Sequence, residues 1–173
     1  MKLFTSVTSV LLIFSSSALA QEPNRSRGQG YLFFAPGIGN IGPQSGNQLD
    51  IHVGGGGEGF IEKGFGVGAE LGLVSAKNAG IYYPSQTWFN QAIGLGSANL
   101  SYHFVPSTID RKFEPFVTGG YSLFFRHGTS SGMNIGGGVN VWMNENVALR
   151  LEGRAHLADL YQFAGFRIGV TFR

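Results

Sequence analysis

The chain has no cysteine. That removes disulfides, thiolate metal sites, cysteine nucleophiles and a cysteine-linked lipid anchor. Charge is also scarce. Asp, Glu, Lys and Arg make up 13 % of residues, about half of what a soluble domain carries. No basic run exceeds Arg111-Lys112, so the chain has no electrostatic footprint for nucleic acid. Past the first 20 residues no apolar stretch reaches 18, which excludes a helical membrane span. So little charge in so long a chain calls for somewhere to put apolar surface, and lipid is one such place.

Met1–Ala20 reads as a secretory signal peptide. Lys2 supplies the positive start, Val10–Phe14 a short apolar region, and Ala18-Leu19-Ala20 the small-x-small cleavage pattern. Its loss leaves one domain's length of chain. Residues 21–29 read as a flexible lead and 30–173 as the folded domain. The 28 glycines follow no collagen or linker repeat. They lie within alternating apolar segments, as in strands with bends or close contacts.

Val147–Leu157, V-A-L-R-L-E-G-R-A-H-L, is the clearest of these segments. Alternate side chains of a strand point to opposite faces. One face holds Val147, Leu149, Leu151, Gly153, Ala155 and Leu157. The other holds Ala148, Arg150, Glu152, Arg154 and His156. A soluble sheet would turn the charges to water; a membrane barrel would turn the leucines to lipid and the charges to its lumen.

Seven further segments alternate. They are Gly30–Gly37, Leu49–Phe60, Phe65–Val74, Asn90–Val105, Phe113–Phe125, Gly132–Trp142 and Gln162–Phe172. In the fourth, Ile93 and Leu95 break the polar phase set by Asn99, Ser101 and His103, which predicts a bulge near Gly96. Eight strands of roughly ten residues match the length that crosses a bilayer when tilted. Connections after the second, fourth and sixth read as short, and those after the first and third (Ile38–Gln48 and Ser75–Phe89) as long. An even count with such alternation fits an outer-membrane barrel. The expected fold is therefore all-β: an eight-stranded antiparallel up-and-down transmembrane barrel.

An eight-stranded lumen is just wide enough to be filled by side chains. The polar faces supply Glu58, Glu70 and Glu152 against Arg150, Arg154 and Arg167. Three acids and three bases predict a paired structural network better than an ion-selective pore. Tyr31, Tyr102, Phe104, Phe113, Tyr121 and Phe172 lie near strand ends as candidates for interfacial girdles.

Together with the signal peptide and the glycine-rich strands, the closing F-R-I-G-V-T-F-R resembles the eight-stranded outer-membrane barrel superfamily of the OmpA/OmpX type. The resemblance covers Gln29–Arg173. It implies residence in the cell outer membrane after export through the periplasm, with lipid and lipopolysaccharide around the wall. It also implies folding by the barrel-assembly machinery, which reads a terminal aromatic residue; here Phe172 precedes Arg173.

For function, four readings compete. The first is a plugged, single-chain barrel that serves as a structural or surface-interaction protein, its contact loops being Ile38–Gln48 and Ser75–Phe89; its extracellular ligand is unknown. The second is a lipid-modifying enzyme, for which His127 near Thr129, Ser130 and Ser131, or His103 near Ser101, are the sparse candidates; neither has an obvious acid. The third is a narrow pore with Asp50, His52 and His156 lining its mouth. The fourth is a soluble barrel of lipocalin type. His52 and His156 make a two-ligand metal pair at most, with no third ligand. No catalytic residue, cofactor or metal is assigned.

Overall fold

In the computed structural model, the described residues are 28–41, 48–62, 64–76, 92–104, 112–125, 129–159 and 161–173. The signal segment and most of the lead, residues 1–27, lie outside them. Eight strands form: β1 (Gly28–Ile41), β2 (Gln48–Glu62), β3 (Phe65–Ala76), β4 (Ile93–His103), β5 (Phe113–Phe125), β6 (Thr129–Trp142), β7 (Val147–Ala158) and β8 (Tyr161–Phe172). Each pairs antiparallel with its sequence neighbours, and β1 pairs with β8 to close the barrel. Closure removes the free edge that hydrocarbon could not solvate.

The alternation of the sequence is the alternation of the wall. On β7 the buried residues are Ala148, Arg150, Glu152, Arg154, His156 and Ala158. Leu149 and Leu157 face out. Leu32, Leu71, Leu100, Ile135 and Ile168 are exposed on other strands. The arginines therefore point to the lumen and the leucines to the surroundings.

Two devices turn the chain tightly. Gly64 between β2 and β3 has φ 96°, a left-handed conformation that glycine adopts without Cβ strain. Between β6 and β7, Asn144 Oδ1 accepts from the backbone N–H of Asn146 (2.9 Å) and Val147 (2.8 Å), a side-chain mimic of a backbone turn.

Several expected boundaries shift. β1 begins at Gly28, so Gly28 and Gln29 belong to the wall rather than to the lead. It runs through Pro36-Gly37 to Ile41, and β2 starts at Gln48, so the expected Ile38–Gln48 loop shrinks to residues 42–47. Proline survives mid-strand because only the β8 side loses a donor: the β1–β8 ladder skips Ala35 and Pro36 and resumes in the same register at Gly37↔Gly165. β3 likewise takes in Ser75 and Ala76. The connection after β4, residues 104–112, is longer than expected and longer than those after β5 and β7. The bulge expected near Gly96 is absent; β4 pairs without a slip to β3 and β5. The irregularity lies instead at Phe60/Glu62.

Candidate functional site: the lumen

The lumen is built from the inward residue of every strand pair, and it has three levels between the end that carries the connections after β2, β4 and β6 (the turn end) and the opposite loop end. At mid-height sit five of the six charged residues that the pattern singled out; the sixth, Glu58, lies nearer the turn end. Each is buried. Glu70 on β3 takes a two-pronged contact from Arg167 on β8, both nitrogens at 2.8 Å. Such fork-to-carboxylate geometry is the strong form of the pair. Arg154 Nη1 approaches Glu70 at 3.7 Å, and Tyr31 donates to it at 3.2 Å. Glu152 accepts from Arg150 at 2.9 Å and from Arg154 at 2.5 Å. Arg154 also donates to Asn134 Oδ1.

Aromatic rings cover two of the three guanidinium groups. Arg150 lies between Tyr31 (4.3 Å to the ring centre) and Phe116 (4.0 Å). Arg167 lies over Phe33 at 4.2 Å. A cation held on a ring face is attracted by the ring quadrupole.

Towards the turn end, Glu58 accepts from Gln29 and Ser101 and lies 3.6 Å from Arg150 Nη1. Glu114 accepts from His103 Nδ1 (2.7 Å), Trp142 Nε1 (3.0 Å) and Arg173 Nη2 (2.8 Å). Arg173 stacks on the Trp142 ring at 3.8 Å.

Towards the loop end the polar network gives way. Arg167 Nη2 lies 3.1 Å from His156 Nε2 and 3.4 Å from His52 Nδ1. Arginine offers no acceptor, so His156 Nε2 must accept and Nδ1 carries the hydrogen. That hydrogen goes to Ser122 Oγ at 2.9 Å. Asn134 also donates to Ser122, which is left with its own proton for Ser97 Oγ. Above this, Val74, Ile93, Leu95, Phe124 and Ala158 pack together with Tyr161 against them. Asp50, at the level of this cluster, is buried, and among the described residues neither of its carboxylate oxygens has a hydrogen-bond partner.

The outer wall carries the complementary surface. Apolar side chains ring the strands at mid-height, and Phe65, Tyr102 and Phe104 form an aromatic cluster at the turn end, with ring centres 4.7 and 4.9 Å apart. Residues 6–173 match the family model described as outer membrane protein beta-barrel domain.

The chain belongs to the outer membrane protein beta-barrel domain family.

It is accordingly an integral barrel of the outer membrane. No curated protein matches it. Solved structures repeat the architecture. The Neisserial surface protein A structure is 15 % identical with a TM-score of 0.64, covering 85 % of this chain and 97 % of that one. The N-terminal β-barrel domain of OprF from Pseudomonas aeruginosa is 15 % identical (TM-score 0.55; 85 % and 98 % covered). OprG from the same organism is 12 % identical (TM-score 0.53; 86 % and 96 % covered). These likenesses are of fold.

Within this outer-membrane barrel, several roles differ from the expected ones. Tyr31 is no girdle residue: it is buried and stacks on Arg150. Phe104, Phe113, Tyr121 and Phe172 do face out. His52 and His156 stand together, ring centres 5.9 Å apart, but a guanidinium occupies the space a metal would need. Ser101 and His103 do not bond to each other; both turn to Glu58. His127 lies outside the described residues. Glu114, Phe116, Ser122, Asn134 and Arg173 were missed. Glu114 sits at a strand start beside Pro115, where the alternation is hardest to phase. Ser122 and Asn134 carry no charge to mark an enclosed face.

Proposed function

We propose that this outer-membrane barrel is closed to ion flow and works as a structural or surface-interaction protein through the segments that join its strands at the loop end. The supporting observation is that the mid-lumen charges spend themselves on one another. Glu70, Glu152, Arg154 and Arg167 each have an opposite charge within 3 Å, and aromatic rings cover the guanidinium faces of Arg150 and Arg167. A conducting lumen keeps charges hydrated. An eight-stranded one has little width to spare for that.

Segments 42–47 (G-P-Q-S-G-N) and 77–92, which includes Tyr82, Tyr83 and Trp88, would be the contact surfaces. Loops on a rigid scaffold commonly carry binding. Outer-membrane lipid and lipopolysaccharide would meet the apolar wall, the barrel-assembly machinery would be the folding partner, and one chain would suffice for a closed wall. The protein is not an enzyme on this reading. Ser122 accepts from His156 and Asn134, which is the reverse of a serine activated by a base.

Planar-bilayer recording tests the proposal. The purified barrel should give no steady, sizeable conductance, while its band in detergent gels should shift on boiling. Steady conductance would sink the closed-lumen reading in favour of a narrow pore. A change in lipid A mass spectra on overexpression would sink the non-enzymatic one.

A further inference from the structure

We propose that His103 is a protonation-dependent clasp joining the turn-end mouth of the barrel to its central ion-pair network. The ring is 1 % exposed and is bracketed by two carboxylates from different strands. Nδ1 is 2.7 Å from Glu114 Oε1 on β5. Nε2 is 3.2 Å from Glu58 Oε1 on β2, an ion-pair contact not aligned as a hydrogen bond. Phe116 stacks on one face (5.2 Å, 21°), and Phe60 meets it edge-on (5.1 Å, 89°). The backbone N–H donates to Gly64 O at 2.8 Å. The ring therefore has no room to swing away from either acid.

A neutral imidazole has one N–H and one lone pair; only the imidazolium has two N–H groups. Between two carboxylates, the neutral ring must aim its lone pair at one of them. The charged ring satisfies both. Each carboxylate belongs to a different group of residues. Glu58 also holds Gln29 from β1, Ser101 from β4 and, more distantly, Arg150 from β7. Glu114 also holds Trp142 from β6 and Arg173 after β8. Among the described residues, His103 is the side chain that touches both groups. Loss of its proton releases one carboxylate and uncouples the mouth from the centre.

The sign follows from which form is favoured. The stabilisation comes from the charged ring, so it is present at acid pH and lost as pH rises and the ring deprotonates. The charged groups that face the ring are the two carboxylates, with Arg150 behind Glu58 and Arg173 behind Glu114; an imidazole between acids responds over about pH 6 to about pH 9.

Trp142 reports on the clasp, because its indole N–H is bonded to Glu114. The chain has two tryptophans, so Trp88→Phe leaves Trp142 as the sole emitter. In the full barrel in detergent micelles, Trp142 emission should change across that pH range along a one-proton curve. The unfolding temperature should fall over the same range. His103→Asn should abolish both responses. Glu114→Gln keeps the ring but removes one carboxylate, and should move the midpoint at least about one unit to acid; it decides the matter if His103→Asn does not fold. The proposal is overturned by a flat Trp142 titration in the Trp88→Phe barrel, by a titration that survives His103→Asn, or by an unchanged midpoint in Glu114→Gln.

Discussion

At the scale of single residues, the lumen is governed by the cost of an unmatched charge. Arg167 is fully enclosed and answers Glu70 with both arms. Arg167→Met would leave Glu70 with only Arg154 at 3.7 Å and the Tyr31 hydroxyl as partners, and breaking such a buried pair costs about 3–5 kcal/mol. Arg167→Met combined with Glu70→Gln should cost clearly less than Arg167→Met alone, since no bare carboxylate remains. Urea unfolding of both variants in micelles measures the difference; a double variant as unstable as the single one refutes the pairing argument. Glycines give a second contrast. A Cβ on Gly138 would sit 2.0 Å from Leu151 O, so Gly138→Ala must force β6 away from β7 and should cost about 1–3 kcal/mol. A Cβ on Gly153 meets nothing within 4 Å. Gly153→Ala should leave stability unchanged or raise it by up to about 1 kcal/mol. The six network residues were legible because a charge among alternating leucines has one plausible side. Tyr31 was not, since an aromatic near a strand end suits an interfacial belt and a cation's ring face equally well.

At the scale of the strand, the outward side chains answer to depth. Leu71 lies mid-strand on β3 and is 68 % exposed. Leu149 lies near the turn end of β7. An arginine on the lipid face costs about 2–4 kcal/mol at the bilayer midplane and about 0–1 near its edge. Leu71→Arg should therefore destabilise the barrel in lipid vesicles by that larger amount and Leu149→Arg by the smaller. Equal effects, or none, would mean that this wall does not meet hydrocarbon. The same depth dependence explains why β4 was misread. Ile93 and Leu95 were expected on the lipid side because they are apolar, and a bulge was needed to turn the strand over. In the structure they keep one phase with Ser97, Asn99, Ser101 and His103. The chemistry of the lumen changes with height while the pleat does not. A period-2 pattern reports which residues share a face; polarity names the face only where the enclosed space is uniformly polar.

At the scale of the whole molecule, the proposed closure places two unlike barriers in series across one lumen. On that reading the ion-paired level would exclude free ions because its charges are already matched and the guanidinium groups of Arg150 and Arg167 are covered by rings. The apolar level, with Leu95 and Phe124 each 1 % exposed, would exclude ions because an apolar constriction sheds water. Barriers in series do not add: either one suffices to stop current. Leu95→Ser with Phe124→Ser would wet the loop-end level alone, and Glu70→Ala with Arg167→Ala would empty part of the mid-level alone. Each pair should leave bilayer conductance near the unsubstituted baseline, while the four substitutions together should open a measurable path. If either pair alone opened the barrel fully, the other level would be no barrier, and closure would rest on a single plug. If the combined variant folds, as judged by its heat-shifted band, yet stays silent, the block lies outside both levels. The segments beyond β1 and β3 at the loop end would then be the place to look for it.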